Sequence, residues 1–376
     1  MKTNMNIVIN ALTITSRHKG GKTYIVNLVN ALVGIDKKNK YYIIVNKNGK
    51  TLFKNLNSAI NFKVIVMPIS GKNKKARLFF DHIILPLWAY LKSIDILLYP
   101  NNIGPLINII PYVVVVHDLG CLNIYKTISR PRQLYYKLFF THSLKKSSCI
   151  ITVSRFTKNS ILKNVKSKLP KILVVYEGVN PIDFPPSNKS EFNYILFVGT
   201  LYQHKNISSL ISAFSWLKNK YNIKHKLVIV GLDIDGKQVG ILRRFAQKKG
   251  VVKDILFTGA VSDYRLKQYY LNADLFITPS LFEGFGLPIL EAMGAGIPVI
   301  ASNNTAMPEV VGDAGILVKP KDIKGMAEAM YKILSNSKFR IHLIKKGHKR
   351  VKRFSWEKTA QGVLKVLQEV YDINQR

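Results

Sequence analysis

Cysteine is nearly absent from this 376-residue chain: Cys121 and Cys149 lie far apart and form no CxxC pair. That argues against a disulfide framework or a thiolate metal site, and for reduced thiols in a cytosolic protein. Long apolar runs are missing as well. None reaches the length of about 18 residues that a bilayer crossing needs. The longest candidate, residues 103–116, is broken by Pro105, Asn108 and Pro111 and reads as a loop feeding a buried strand. At the N-terminus no basic stretch precedes an apolar segment, so no secretory signal is read there. Acidic residues are scarce too, with 21 Asp and Glu against 57 Lys and Arg, a formal charge of +36. Such a charge draws a protein to anionic lipid surfaces and acidic polymers. The joint richness in Lys, Asn and Ile offers compositional bias as the other reading. Basic residues do not alternate with aromatics as a base-stacking platform requires, so no nucleic acid partner is expected.

What the chain does have is apolar content. A hydrophobic share of 47% and a mean hydropathy of +0.07 fill two interiors and exclude disorder, and the length suits two domains. Short β-branched runs alternate with longer amphipathic stretches throughout. Strands are expected near residues 7–10, 41–45, 62–66, 96–99, 112–116, 149–153 and 171–175, with helices over 23–33, 76–91, 131–146 and 154–164. Continuous runs such as Val113-Val114-Val115-Val116 suit strands covered on both faces, the mark of a parallel sheet. A turn-rich stretch with Pro181, Pro185 and Pro186 interrupts the alternation. It then restarts, with strands at 194–198, 226–230, 255–258, 275–278 and 299–301 and helices between and after them. The expected fold is α/β. Residues 1–180 form one Rossmann-like domain, 181–193 a linker, 194–354 a second Rossmann-like domain, and 355–376 a helix crossing back to the first domain. The two doubly wound parallel sheets would face each other across a cleft, with chemistry in the loops that follow strands.

The segment richest in chemistry is Pro279-Ser280-Leu281-Phe282-Glu283-Gly284-Phe285-Gly286-Leu287-Pro288-Ile289-Leu290-Glu291. It leaves a buried strand and opens a helix. Gly284 and Gly286 allow close backbone approach. The helix N-terminus at Leu287 offers free amides and a positive dipole end, and Pro288 fits its first turn. This is an anion site. Glu283 lies in the loop beside the place of a phosphate-linked group, and Glu291 sits on the helix where a ribose diol could donate to it. Taken singly, Glu283 reads as a helix cap and Glu291 as a solvated charge; the shared glycine–proline frame favours the functional reading.

That segment, with seven residues between its glutamates, resembles the signature of the retaining family 4 glycosyltransferases of the GT-B fold. The likeness spans nearly the whole chain. Phe197-Val198-Gly199-Thr200-Leu201-Tyr202-Gln203-His204-Lys205-Asn206 resembles the family's strand and loop ending in Arg-Lys-Asn. Gly296-Ile297-Pro298-Val299-Ile300-Ala301-Ser302 and Pro308-Glu309 are similar to its downstream run. Gly20-Gly21 with Tyr24, Val116-His117-Asp118-Leu119, Val153-Ser154-Arg155-Phe156 and Tyr176-Glu177-Gly178 complete the set.

The resemblance implies transfer of a hexose, with retention and without metal, from a nucleotide-sugar donor such as GDP-mannose or a UDP-sugar. The acceptor would be a glycan or lipid-linked oligosaccharide, as in O-antigen or other surface polysaccharide assembly. It would place the enzyme in the cytoplasm, at an anionic inner-membrane face. Catalytic roles are implied for Glu283, His117 and Lys205. The donor would be held by Gly20, Gly21, Thr200, His204, Lys205, Val261, Glu283, Gly284, Phe285, Gly286, Leu287 and Glu291. His204 departs from the family's arginine: a neutral imidazole gives phosphate no permanent charge, so contact there would depend on pH. The bland reading of His117 is a strand-end histidine bonded to Asp118, that of Lys205 an exposed lysine, and that of Gly20-Gly21 a hairpin-like turn. Residues 1–180 would bind the acceptor, its choice falling to the loops at 70–76 and 119–132; residues 194–354 would bind the nucleotide sugar, and the last helix would couple the two halves.

Two lures are set aside. Asp233-Ile234-Asp235 spells a metal–nucleotide motif but sits among turn glycines, where Asp bonds locally. Gly20-Gly21-Lys22-Thr23 resembles the end of a P-loop, but the first glycine it requires is Ser16. Two rivals remain. A nucleotide-sugar epimerase would need a further acid–base pair, which no motif supplies. A non-catalytic basic protein binding membrane or polyanions would have no reason to keep Lys205, Glu283 and Glu291 together.

Overall fold

The computed structural model describes residues 4–14, 19–69, 74–120, 130–180 and 190–375. They fall into two units, 1–178 with 356–376 and 179–355. Most of the turn-rich stretch (181–189), Cys121, Ser16 and most of the 70–76 and 119–132 loops lie outside the described residues.

The first unit holds a seven-stranded sheet: β1 Asn6–Ala11, β2 Lys40–Val45, β3 Phe62–Val66, β4 Ile96–Tyr99, β5 Tyr112–Val116, β6 Cys149–Thr152 and β7 Ile172–Val174. Its order is β3-β2-β1-β4-β5-β6-β7, with every pairing parallel. All five residues of β5 and all four of β4 are buried, as β-branched runs with both faces covered should be. Each such valine contributes roughly 1.5–3 kcal/mol by leaving water. The Trp356–Asn374 helix belongs to this unit and packs along the Lys19–Ile35 helix. There Thr359 donates to the Tyr176 carbonyl at 2.8 Å.

The second unit holds six strands: β8 Tyr194–Val198, β9 Lys226–Val230, β10 Ile255–Gly259, β11 Leu275–Thr278, β12 Val299–Ser302 and β13 Gly315–Val318. These run in the order β10-β9-β8-β11-β12-β13, again all parallel. Both sheets thus grow outward from their first strand, return, and continue on its other side. The order reverses between β1 and β4 in one unit and between β8 and β11 in the other.

Three local expectations are corrected. The helix read over 76–91 is three pieces: Lys74–Phe79, a π-helical turn Phe80–Ile84, and Leu85–Leu91. The i→i+5 turn adds one residue, which hydrophobic periodicity does not register. The helix Met307–Val311 and the strand β13, both unanticipated, are five and four residues long, too short for a periodic signal. Gly20 and Gly21 lie in the first turn of the Lys19–Ile35 helix, not in a hairpin-like turn.

Candidate active site

In the second unit, chemistry gathers at the carboxyl ends of β8 and β11, the reversal where open α/β sheets bind ligands. After β8 the chain runs through the half-buried Gly199 and Thr200 into a 3-10 turn, Gln203–Lys205. Asn206 follows in the left-handed region at φ 58°. Its side-chain amide donates to the carbonyls of Pro279 and Pro320 at 3.0 and 2.5 Å. The Leu281 N–H donates to the His204 carbonyl at 2.7 Å. Two loops far apart in sequence are thereby held as one surface. Gly231, in the turn after β9, closes against it: a Cβ there would stand 1.7 Å from the Gly199 oxygen.

On that surface Lys205 Nζ lies 2.6 Å from Glu283 Oε1, with the two side chains 15% and 16% exposed. The same carboxylate oxygen accepts from Ser280 Oγ at 2.7 Å, and Ser280 is 3.2 Å from Thr278 Oγ1. The Glu283 N–H donates to Thr305 Oγ1 at 3.2 Å. Glu283 is therefore fixed at both ends, and it is no helix cap. Gly284 and the buried Phe285 follow, with the Phe285 ring edge-on to Phe354 at 5.8 Å. Gly286 begins the Leu287–Gly294 helix at φ 105°, a region costly for any residue with a Cβ. That conformation leaves the first amides of the helix beside the Lys205–Glu283 pair in the chain.

Glu291, on this helix, accepts from the buried Tyr270 hydroxyl at 2.7 Å. It is an anchored carboxylate and not a solvated charge. The Tyr270 phenol is held well above its ordinary pKa by burial, then by the Glu291 charge. His204 titrates at about 4, pushed down by burial and by the Lys205 charge beside it. Its imidazole is neutral at physiological pH. Val261 is half-buried two residues beyond β10, an edge strand separated from β8 by β9. Asp233 accepts the Val239 N–H at 2.9 Å, securing the start of the Gln238–Lys248 helix.

In the first unit, His117 follows β5 and is bonded to Glu177 and Pro100, not to Asp118. Its Nδ1 lies 2.8 Å from Glu177 Oε1 and its Nε2 2.9 Å from the Pro100 carbonyl oxygen. Its backbone N–H donates to Asn102 Oδ1 at 2.7 Å, and the Tyr24 ring stands edge-on at 4.7 Å. Both ring nitrogens face acceptors, which a doubly protonated imidazole satisfies. Burial lowers its pKa, but the hydrogen bond and charge of Glu177 and the Pro100 carbonyl outweigh burial, and the net direction is up. Gly21 packs against the Asn101 side chain, 3.0 Å from where its Cβ would be. Ser154, in the Val-Ser-Arg-Phe motif, accepts the Thr157 N–H at 3.0 Å and caps the Arg155–Asn164 helix.

Sequence reasoning passed over Glu177, Ser280, Thr305 and Tyr270 as site residues. Glu177 stood within a quoted motif, and Ser280 within the glycine-rich segment. Tyr270 and Thr305 carry no signal beyond their place after helices and strands.

Comparison with known proteins accounts for this arrangement. The sequence model described as "Glycosyl transferases group 1" matches residues 180–350, and that described as "Glycosyltransferase Family 4" matches 18–182. The O-antigen chain mannosyltransferase B of Escherichia coli is 30% identical over 257 residues, 65% of this chain and 67% of that protein. The O-antigen chain mannosyltransferase RfbU of Salmonella typhimurium is 32% identical over 58% of this chain and 60% of its own length. Among solved structures, Anabaena HepE in complex with UDP and glucose superposes with a TM-score of 0.75 at 16% identity, covering 97% of this chain and 100% of that one. Two parallel sheets with the same reversal, and a lysine–glutamate pair set at one of them, are the frame of a sugar-transferring enzyme: the chain belongs to the family 4 glycosyltransferases, with the GT-B fold.

Proposed function

We propose that this glycosyltransferase moves a hexose, mannose first among the candidates, from a nucleoside-diphosphate sugar to a lipid-linked glycan, with retention of anomeric configuration, in surface-polysaccharide assembly of the O-antigen type. The observation that carries the reading is the Lys205–Glu283 pair at the β8/β11 reversal. An ammonium has three N–H donors, and Glu283 takes one. Lys205 can hold Glu283 and a diphosphate oxygen together, and it offsets the charge that grows on the leaving group. The first amides of the Leu287–Gly294 helix add donors and a positive dipole end. Glu283, fixed by Ser280 and Thr305, orients sugar hydroxyls. Glu291, steadied by Tyr270, accepts from the ribose. Lysine and backbone amides supply the positive charge in this scheme, so a chelator such as EDTA should leave the rate unchanged. The mannosyltransferase names of the relatives support the sugar and the pathway.

The lipid-linked acceptor is supported by the surface of the first unit. Leu87, Tyr90 and Leu91 are 43%, 64% and 79% exposed, and Leu134 and Leu138 on the Arg130–Lys146 helix are 57% and 58% exposed. Lys92 follows Leu91 in the chain and Lys145 and Lys146 end the Arg130–Lys146 helix, all three exposed. Apolar and aromatic side chains among lysines suit the interface of an anionic bilayer. Among the described residues no helix is long and apolar enough to cross a membrane. Vesicles with a quarter phosphatidylglycerol should sediment the protein and neutral vesicles should not; Tyr90→Ala with Leu91→Glu should release it at least tenfold.

The deciding experiment follows nucleoside diphosphate release from GDP-mannose, UDP-glucose, UDP-galactose and dTDP-glucose, with lipid extract as acceptor. Turnover of one donor, lost in Lys205→Ala, is the expected result. No turnover and no nucleotide binding by calorimetry would sink the reading in favour of a basic binding protein.

A further inference from the structure

Unmade hydrogen bonds and strained backbone mark places where the fold gives up stability. At the β1/β4 reversal a cavity of about 110 Å³ is lined by Asn10, Arg77, Asp81 and Tyr99 among other residues. The Asn10 side-chain amide donates to Asp81 Oδ1 at 3.0 Å, and Arg77 Nε is buried without a hydrogen-bond partner. At about 30 Å³ for each water the cavity has room for a few, and water can make the missing bonds. The loop after β12, residues 302–306, carries a cost of another kind, because part of it lies in the main chain.

Thr305 stands at φ 53°. Among the described residues, the other non-glycine residues with positive φ are Ser93, Asn102, Asn206 and Asn222, and only Thr305 is β-branched. Asparagine visits the left-handed region through local hydrogen bonds of its short side chain, whereas a β-branched residue there is an outlier. In the same loop Ser302 Oγ and Asn304 Oδ1 are buried without hydrogen-bond partners. Such costs persist only where the surroundings over-determine the conformation, and they gather at functional sites.

The surroundings here are explicit. The Asn303 N–H donates to the Val318 carbonyl at 2.7 Å, which ties the loop to β13. Ala306 and Met307, which follow Thr305 in the chain, are fully buried. Between these anchors Asn304 Nδ2 donates to the Leu281 carbonyl at 3.0 Å, and Thr305 Oγ1 accepts the Glu283 N–H at 3.2 Å. The Leu281 N–H is already held by the His204 carbonyl, so residues 281–283 are fixed from two loops. Lys205 and Ser280 hold the Glu283 carboxylate through Oε1 alone. With the main chain fixed as well, the direction of Oε2 is set, the oxygen that can face a sugar hydroxyl.

We propose that Thr305 is a positioning residue for sugar transfer: its left-handed backbone is retained, against stability, because it brings up the hydroxyl that fixes the Glu283 main chain. The assignment rests on the transferase reading above. It separates two properties of one residue. The hydroxyl serves the reaction, and the branched Cβ at positive φ is the cost.

Thr305→Ser, Thr305→Val and Thr305→Gly in the full chain test this. Thr305→Val and Thr305→Gly lose the hydroxyl, and their kcat should fall roughly fivefold or more, with donor KM within about twofold. Thr305→Ser keeps it and should stay within about twofold of wild type. Melting should order the variants differently: Thr305→Gly, freed of the Cβ penalty, should melt above Thr305→Val. Rate would then follow the hydroxyl and Tm the backbone, whereas a threonine that merely held the fold would make rate follow Tm. A second measurement needs no turnover. Hydrogen exchange of the 281–286 segment should quicken at least fivefold in Thr305→Val and stay near wild type in Thr305→Ser. Wild-type kcat or wild-type exchange in Thr305→Val, or rates that follow Tm across the set, would overturn the proposal. Exchange that responds as expected in a chain that turns over no donor would count against the transferase reading alone.

Discussion

The two sheet reversals share a topology and differ in how their charges are kept. At β8/β11 the carboxylate of Glu283 is held through one oxygen by a cation and a hydroxyl, Lys205 at 2.6 Å and Ser280 at 2.7 Å, and its backbone is tied to Thr305. At β1/β4 the carboxylate of Asp81 has an amide on one oxygen, and the nearby Arg77 Nε has no partner. One site is assembled before any ligand arrives. The other leaves buried polar groups with bonds unmade. The first arrangement suits a donor whose charge must be met in a fixed geometry; the second leaves its bonds to the water the cavity has room for.

The largest effect that would break this comparison lies at the assembled site. Lys205→Ala removes the cation facing the leaving group and should lower kcat by about 10²–10³-fold, the usual consequence of losing one charge-stabilising donor. Glu283→Gln keeps the shape but not the charge that anchors Lys205, and should cost less. Steady-state rates on the donor found by the panel check the order. Equal losses in both variants would mean that the pair acts as one unit.

A second contrast concerns stability. Asp81 has its pKa raised to about 6 by burial, above the ordinary unfolded value of about 3.9. Its contribution is therefore favourable below about pH 4 and lost as pH rises through 6. At pH 8 the ionised carboxylate costs on the order of 3 kcal/mol, a figure that already includes the Asn10 bond and the Arg77 charge. Asp81→Asn, which can keep the Asn10 bond, should raise Tm at pH 8 and change it little at pH 4. Glu283→Gln, in a satisfied site, should lower Tm at pH 8. Calorimetric melts at the two pH values separate the cases. A destabilised Asp81→Asn at pH 8 would make Asp81 a structural residue and remove the difference between the sites.

Much of this was legible in the sequence, and unequally. The Val113–Val116 run and its counterparts announced parallel sheets because a strand buried on both faces has no polar positions to obscure it. Glu283 and Lys205 could be found because glycines and Pro288 mark a backbone that approaches an anion, and such marks are local in sequence. The pocket at β1/β4 carries no such mark. Asn10, the pair Arg77 and Asp81, and Tyr99 come from three separate places, and the π-helical turn that brings Asp81 to the cavity leaves no periodic trace. The clue that existed was Asp81 itself, one of only 21 acidic residues, set in a helix of apolar neighbours. His204 is the opposite case: the motif drew attention to its place in sequence, and only the packing shows an imidazole that burial beside Lys205 keeps neutral.

The smallest effect tests whether the first unit's own ion pair belongs with the assembled site or the open one. His117 faces a carboxylate on one side and a carbonyl on the other; a protonated imidazole satisfies both, and in that form it has no lone pair for acid–base work. Its pKa lies above the ordinary histidine value, with Glu177 outweighing burial. The stabilisation is full below the unfolded value of about 6.5 and lost as pH rises through the folded one. His82 and His204, both lowered to about 4, act in the reverse sense and only below about 6.5; Asp81 has finished its change by about pH 7. The window above that belongs to His117 among these groups. Urea midpoints of wild type should therefore fall between pH 7 and 9, by less than the ~1.4 kcal/mol per pH unit that one proton allows, and those of His117→Gln should fall less. Parallel curves would mean that the imidazole is neutral throughout this range, and the histidine would regain a role in proton transfer.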